Sequence, residues 1–278
     1  MLNDDHTLGM ADLLVKVAMP STIFISLMRP FSVMLLAEAF ATLFITGAVY
    51  LLGGAMGLLL ARIMHATDGE RHAWTFGLVL GNVGFMGIPL TLAVFGYEGL
   101  IYASMANASF NIIAFTIGVR IYAKDPPRGR AVMLQVVRTP ALIATFVGLL
   151  FFVTGLRLPS ALENGVSLIS GMTTPISLVL VGASVARRPL KEMLTDIRFL
   201  PAVALRLLVL PIVTLLVLRL WVPELMLGVI VTLVAMPAAA ATVIFAEQHQ
   251  GDTTSAAKFV VVSTLLCIIT VPLLSLLL

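Results

Sequence analysis

The stretch GNVGFMGIPL, residues 81–90, places Gly81, Gly84 and Gly87 with Asn82 and Pro89 in the middle of a run without charge from Ala73 to Tyr97. These residues are poor helix formers, since Gly costs about 1 kcal/mol and Pro about 3 relative to Ala. What they can do instead is present backbone. A helix that restarts after such a break exposes unpaired N–H groups and about half a positive charge, which together make an anion site. A second stretch, TLVAMPAAAATVIFAEQHQG (232–251), matches GFMGIPLTLAVFGYEG (84–99): a central proline, small and aliphatic residues, then Phe, an acid and Gly. In both, the proline is well placed to open a second half-helix, where its missing N–H costs nothing. The candidate substrate-binding residues are therefore Asn82, Gly84, Phe85, Gly87 and Pro89 from the first stretch, and Met236, Pro237, Ala238 and Thr242 from the second.

Asn107 and Asn111 stand one turn apart, with Ser104 on the same face. They form either a second wall of the site or an inter-helix hydrogen bond worth about 0.6 kcal/mol. Ser263 and Thr264 are weaker candidates, because hydroxyls bond back to their own helix. Glu38 and Arg206 are the only charges well inside strong apolar runs. A charge at that depth costs at least about 2–3 kcal/mol, so each should face the interior with a partner. A buried pair between the two is the expectation, with titration during transport or snorkelling as alternatives. His6, His65, His72 and His249 show no zinc-type spacing, no run carries two acids, and no nucleotide-binding loop is present. No enzyme activity, metal or cofactor is expected.

The elements that must hold these residues are set by composition. Hydrophobic residues make up 60% of the 278 and charged residues 11%, with mean hydropathy +1.08. A soluble domain carries roughly a quarter charged residues. The chain reads as an all-α polytopic membrane protein of nine spans, at about 9–28, 31–61, 73–97, 99–119, 139–156, 164–186, 199–218, 225–246 and 259–278. Continuous apolar runs exclude a barrel of alternating strands. The first dozen residues are polar and partly acidic, so no cleavable signal peptide is expected. The single Cys267 allows no internal disulfide.

Thirteen of the seventeen Lys and Arg residues fall on the side of the N-terminus, and only Arg29, Arg157 and Arg219 on the other. Cytoplasmic loops retain positive charge, so the N-terminus is expected in the cytoplasm, the C-terminus exoplasmic and the protein in the cytoplasmic (inner) membrane. A net charge of +3 distributed in this way does not indicate nucleic-acid binding.

A second match links VAMPSTIF (17–24) with MTTPISLV (172–179). Both matches shift by five spans, an odd number, so paired helices run in opposite directions. That is the signature of an inverted-topology repeat, with two crossed broken helices at the centre. Residues 1–122 then form a first repeat of four spans, 123–138 a cytoplasmic linker, and 139–278 a second repeat of five spans.

GNVGFMGIPLTLAVFG, LVLVGASVA, ALRLLVLPIV (204–213), and AMPAAAATVIFAEQHQGD followed by VVSTLLCIITVPLL resemble the auxin efflux carrier family over nearly the whole chain. The resemblance implies two inverted five-helix repeats, similar to bile acid:sodium symporters, with the substrate at crossed broken helices. It implies organic anions as substrates: malonate and malate in bacterial members, auxin in plants. The short KDPPRGR loop looks like the bacterial form. Family members usually begin with a further hydrophobic helix before the segment resembling LLVKVAMPSTIF (13–24). The leading reading is thus a secondary transporter of a small organic anion, such as a dicarboxylate, working by alternating access within the lipid bilayer. A non-transporting receptor or structural subunit on the same scaffold, or a sodium-coupled symporter of bile-acid-like anions, is the alternative. A homodimer, and coupling to H+ or Na+, are both compatible with it. Reporter fusions in the 124–130 and 187–191 loops should read out in the cytoplasm; an exoplasmic signal from either would sink the nine-span arrangement.

Overall fold

The computed structural model describes residues 4–123, 129–186 and 197–277. These residues are almost wholly helical, and no strand occurs among them. The elements are α1 (His6–Leu27), α2 (Val33–Ile63), α3 (Asp68–Val79), α4 (Val83–Tyr122), α5 (Arg130–Val137), α6 (Pro140–Thr154), α7 (Ser160–Ala183), α8 (Ile197–Leu218), α9 (Glu224–Val234), α10 (Ala241–Gln248) and α11 (Thr253–Ser275). The expected loops at 125–130 and 187–191 lie outside the described residues, apart from Gly129 and Arg130. The expected linker is partly helical, since α5 falls within it and meets α6 at 70°.

Among the described residues six helices are each long and apolar enough to cross a bilayer, and a seventh if bent α5 and α6 count together. This is a multi-pass membrane protein. Exposed Phe44, Leu59, Phe146, Leu150, Leu216 and Val217 give α2, α6 and α8 apolar outer faces that suit lipid. The shortfall from nine has a local cause. The third and eighth expected spans are each cut in two, into α3 and the start of α4, and into α9 and α10. Pieces of 12, 11 and 8 residues are too short to cross alone. The rest of the third and all of the fourth merge in the 40-residue α4, interrupted by Gly96 at φ 62°, ψ −162°.

The two cuts meet. Gly81 and Ala238 form an isolated antiparallel bridge, in which the Asn82 N–H donates to Pro237 O (2.7 Å) and the Ala239 N–H to Leu80 O (3.0 Å). Backbone without helical partners is thereby satisfied by backbone from the other cut, as a dry interior requires. The prolines act differently from expectation. The first restarted helix begins at Val83 with Asn82 as its cap, Oδ1 accepting from the Phe85 N–H, and Pro89 comes later. Pro237 sits inside the second break, and α10 starts only at Ala241. Wide π turns at 14–18, 83–87 and 205–209 each lie just ahead of a proline, Pro20, Pro89 and Pro211. A proline cannot donate to the carbonyl four residues back and its ring crowds it, so the preceding turn widens.

Arg206, fully buried on α8, fastens the crossing. Its Nε donates to Met236 O (2.9 Å) and its Nη1 to Leu78 O (3.0 Å). These carbonyls lie at the C-terminal ends of α9 and α3, where the helix dipoles put about half a negative charge each. The expected Glu38–Arg206 pair is not formed. Glu38 Oε2 instead accepts from Tyr102 Oη at 2.5 Å, near the middle of α4. Two half-helix ends compensate one guanidinium without a carboxylate, which is why the sequence rule of pairing charge with charge misled.

Helix α1 packs chiefly on α6 and the first half of α7, while α2, α3, α4, α8, α9, α10 and α11 pack on one another. At one end of the bundle Gly69 abuts Asp252, and Gly251 abuts Tyr122. At the other, Arg29 Nη2 donates to Tyr97 O (2.7 Å) and Arg157 Nη1 to Met28 O (2.6 Å). Asp252 caps α11; burial pushes its carboxyl up, but hydrogen bonds from Ser255 and Thr254 outweigh this and hold it below the usual range.

A methyl group built on Gly81 would overlap the Arg206 guanidinium, whereas one on Gly182 in α7 meets nothing. Gly81→Ala should therefore lower the thermal midpoint of the detergent-solubilised protein, while Gly182→Ala leaves it unchanged or raises it, Ala being favoured in a helix by about 1 kcal/mol. Equal midpoints would contradict the close approach of Arg206 to the crossing.

Candidate anion site at the crossover

The restarted helices bring their N-terminal turns to one cavity of about 160 Å³. Asn82, Val83, Gly84 and Phe85 line it from the first break, and Ala239, Ala240 and Ala241 from the second, with Ile244 one turn on. Asn107, Phe110 and Asn111 of α4 form another wall, and Val15, Met19, Thr139 and Ala141 close it from the α1–α6 side. The cavity thus lies at the seam between the two helix groups.

Its polar groups are neutral. The Asn82, Val83, Phe85, Ala238 and Ala239 N–H groups are engaged by Pro237 O, Gly81 O, Asn82 Oδ1, Ser263 Oγ and Leu80 O. Among the described residues no acceptor pairs with the N–H groups of Gly84, Ala240 or Ala241. The first N–H groups of a helix have no intrahelical partner, so these are the donors the geometry leaves over. Asn107 is 2% exposed and its Nδ2 has no partner among the described residues, while Asn111 Nδ2 donates to Asn107 O (2.7 Å). Among the described residues no acidic or basic side chain lines the cavity. Two helix N-termini, two unused alanine N–H groups, one glycine N–H and a free amide make a pocket for negative charge with no cation in it.

Of the residues expected from sequence, Asn82, Gly84, Phe85, Asn107 and Asn111 are brought together here. Ser104 is taken by Ser26 (Oγ to Oγ 2.9 Å). Gly87 lies off the cavity, where a Cβ would stand 2.6 Å from Leu233, so its role is close packing of α4 on α9. Pro237 and Ala238 belong to the bridge, and Thr242 is fully buried away from the cavity. Pro89 and Met236 line a different, apolar space of about 350 Å³ with Leu90, Leu178, Cys267 and Val271. Ser263 and Thr264 both bond back to Val260 O, and Ser263 also accepts from the Ala238 N–H. Sequence reasoning missed Ala239–Ala241; the signal available was the four-alanine run after Pro237. It also missed Val15, Met19, Thr139 and Ala141, whose apposition no spacing encodes.

The chain matches the family described as membrane transport protein over residues 1–131 and 127–275. It belongs to this family. These are the auxin efflux carriers that its motifs resemble. An uncharacterized transporter of Methanothermobacter thermautotrophicus is 26% identical over 283 residues, covering 98% of this chain and 89% of the relative. An uncharacterized transporter of Methanocaldococcus jannaschii is 25% identical, covering 69% and 64%. A putative malonate transporter of Rhizobium meliloti is 25% identical over 240 residues, covering 81% and 72%. The function of this auxin efflux carrier family member is accordingly membrane transport.

Proposed function

We propose that the protein is a secondary carrier for a small organic anion, with a carboxylate held at the crossover by backbone N–H groups. The observation that carries this reading is that Gly84, Ala240 and Ala241, whose N–H groups have no acceptor among the described residues, line one cavity together with the unpartnered Asn107 amide, and that no basic side chain among the described residues lines it. A carboxylate has two oxygens and accepts from two helix N-termini at once. A small dicarboxylate of malonate type suits a space of about 160 Å³, and the Rhizobium meliloti relative, named a putative malonate transporter, supports that substrate class.

Alternating access is supported by the position of the cavity at the seam between the α1–α6–α7 group and the helices carrying the crossing. On this reading the cavity lined by Asn82, Asn107 and Asn111 and the apolar space beside Pro89 and Met236 are the two faces of the crossing, and the first is reached from the end holding Asp68 and Asp252. The excess of Lys and Arg makes that first end cytoplasmic, in the inner membrane. Counting each broken helix as one span and Gly96 as a turn between two spans gives nine, arranged as inverted repeats of residues 1–122 and 139–278 on either side of the 123–138 linker. The antiparallel meeting of Gly81 with Ala238 fits repeats of opposite direction.

Counterflow of labelled malonate in proteoliposomes tests the reading, since only a carrier exchanges label across the membrane. Asn107→Leu should lower exchange at least about tenfold, as a hydrogen bond to a charged group contributes about 1.5–3 kcal/mol. Binding without exchange would favour the receptor reading. Undiminished exchange in Asn107→Leu combined with Gly84→Leu would place the site elsewhere.

A further inference from the structure

Carriers built on broken helices commonly hold a coupling cation at the C-terminal ends of half-helices, where carbonyl oxygens and negative dipole ends converge. The resemblance to bile acid:sodium symporters makes Na+ the ion to consider. In this protein the carbonyl ends of α3 and α9 do converge at the crossing, but Leu78 O and Met236 O already accept from Arg206. A hard cation of this kind takes several oxygens at roughly 2.3–2.6 Å. The guanidinium stands among the oxygens that would supply them, and no group of three or more acidic, His or Cys side chains suited to a metal occurs among the described residues. Gly81, whose added methyl would strike Arg206 Nη2, shows that the backbone is shaped around this side chain. The residues present do not fit a sodium ion.

We propose that Arg206 is a resident cation: its guanidinium permanently occupies the place between the two half-helix C-termini, so the protein takes up no Na+ there and its transport is independent of Na+. The charge balance supports this. Two dipole ends of about half a negative charge each match one guanidinium. A full positive charge without them would be costly at this depth. The tether has a functional consequence. A diffusible cation enters and leaves with the substrate and couples its gradient to transport, whereas a covalently held one holds the crossing together in every state and leaves the N-terminal ends free for the anion. Arg206 is a positioning residue in this account, because it touches backbone and not the cavity.

The test uses thermal unfolding of the purified full-length protein in detergent, and so needs no substrate and stands or falls apart from the anion-carrier reading. A ligand that binds only the folded state raises its midpoint by mass action. Replacing K+ by Na+ at constant ionic strength should leave the midpoint of the natural protein unchanged. Arg206→Ala should lower it by several degrees, and low-millimolar guanidinium should restore part of that loss while equal K+ does not. A saturable rise with Na+ in the natural protein would overturn the proposal. So would an Arg206→Ala protein indifferent to guanidinium. Where Arg206→Ala does not survive purification, the Na+ titration of the natural protein decides alone.

Discussion

The fold depends on how one buried guanidinium is held: its Nε and Nη1 donate to carbonyls of the two breaks, while its Nη2 has no hydrogen-bond partner among the described residues. Arg206 reaches the carbonyl ends of two helices that stop inside the protein, and those ends are oriented to receive it because the next residues cross. Remove the crossing and the carbonyls diverge; remove the arginine and two negative dipole ends face each other in a dry interior. Each makes the other tolerable. The restarted helices then have only one direction in which to point their N-terminal turns, back toward the seam beside α1 and α6.

This division of charge separates two tasks that one basic side chain could not perform together. The positive group sits behind the crossing, where it ties C-terminal ends. The proposed anion site lies in front, where the N-terminal ends meet Asn82, Asn107 and Asn111. A lysine or arginine within the cavity would hold a carboxylate strongly, but a carrier must also release its substrate. Neutral donors and partial charges in a small space give selectivity for the sign of charge with weaker retention.

Much of this was legible in the sequence. The Asn82–Gly84–Phe85 run and the Asn107–Asn111 pair were found from residue type and helical spacing, and so were both breaks. The failures share a cause. Sequence reading gives the backbone N–H groups their role but not the residue at which each helix restarts or the carbonyls that a buried charge reaches, because tertiary contacts set both. Pro89 and Pro237 were expected to begin helices; the start is set instead by the Asn82 cap and, in the second break, by Ala241. Arg206 was expected to seek an acid, yet peptide carbonyls serve. Ala239–Ala241 carry no functional side chain, so nothing but their position after Pro237 marked them. Gly87 shares the motif of the site, but the neighbour that its missing side chain makes room for is Leu233. Glu38 shows the reverse case, a membrane acid whose partner, Tyr102, lies 64 residues away with no pattern to announce it.

The central claim is that peptide N–H groups, and not the arginine, hold the substrate. Solid-state NMR on the membrane-embedded protein measures this directly, through dipolar dephasing between carboxylate-13C malonate and 15N introduced either in backbone amides or in arginine side chains. The account predicts dephasing from glycine and alanine amide nitrogens, consistent with hydrogen-bonded N···O distances of about 2.7–3.2 Å, and none from guanidinium nitrogens. Dephasing by the arginine label with silent backbone amides would contradict it.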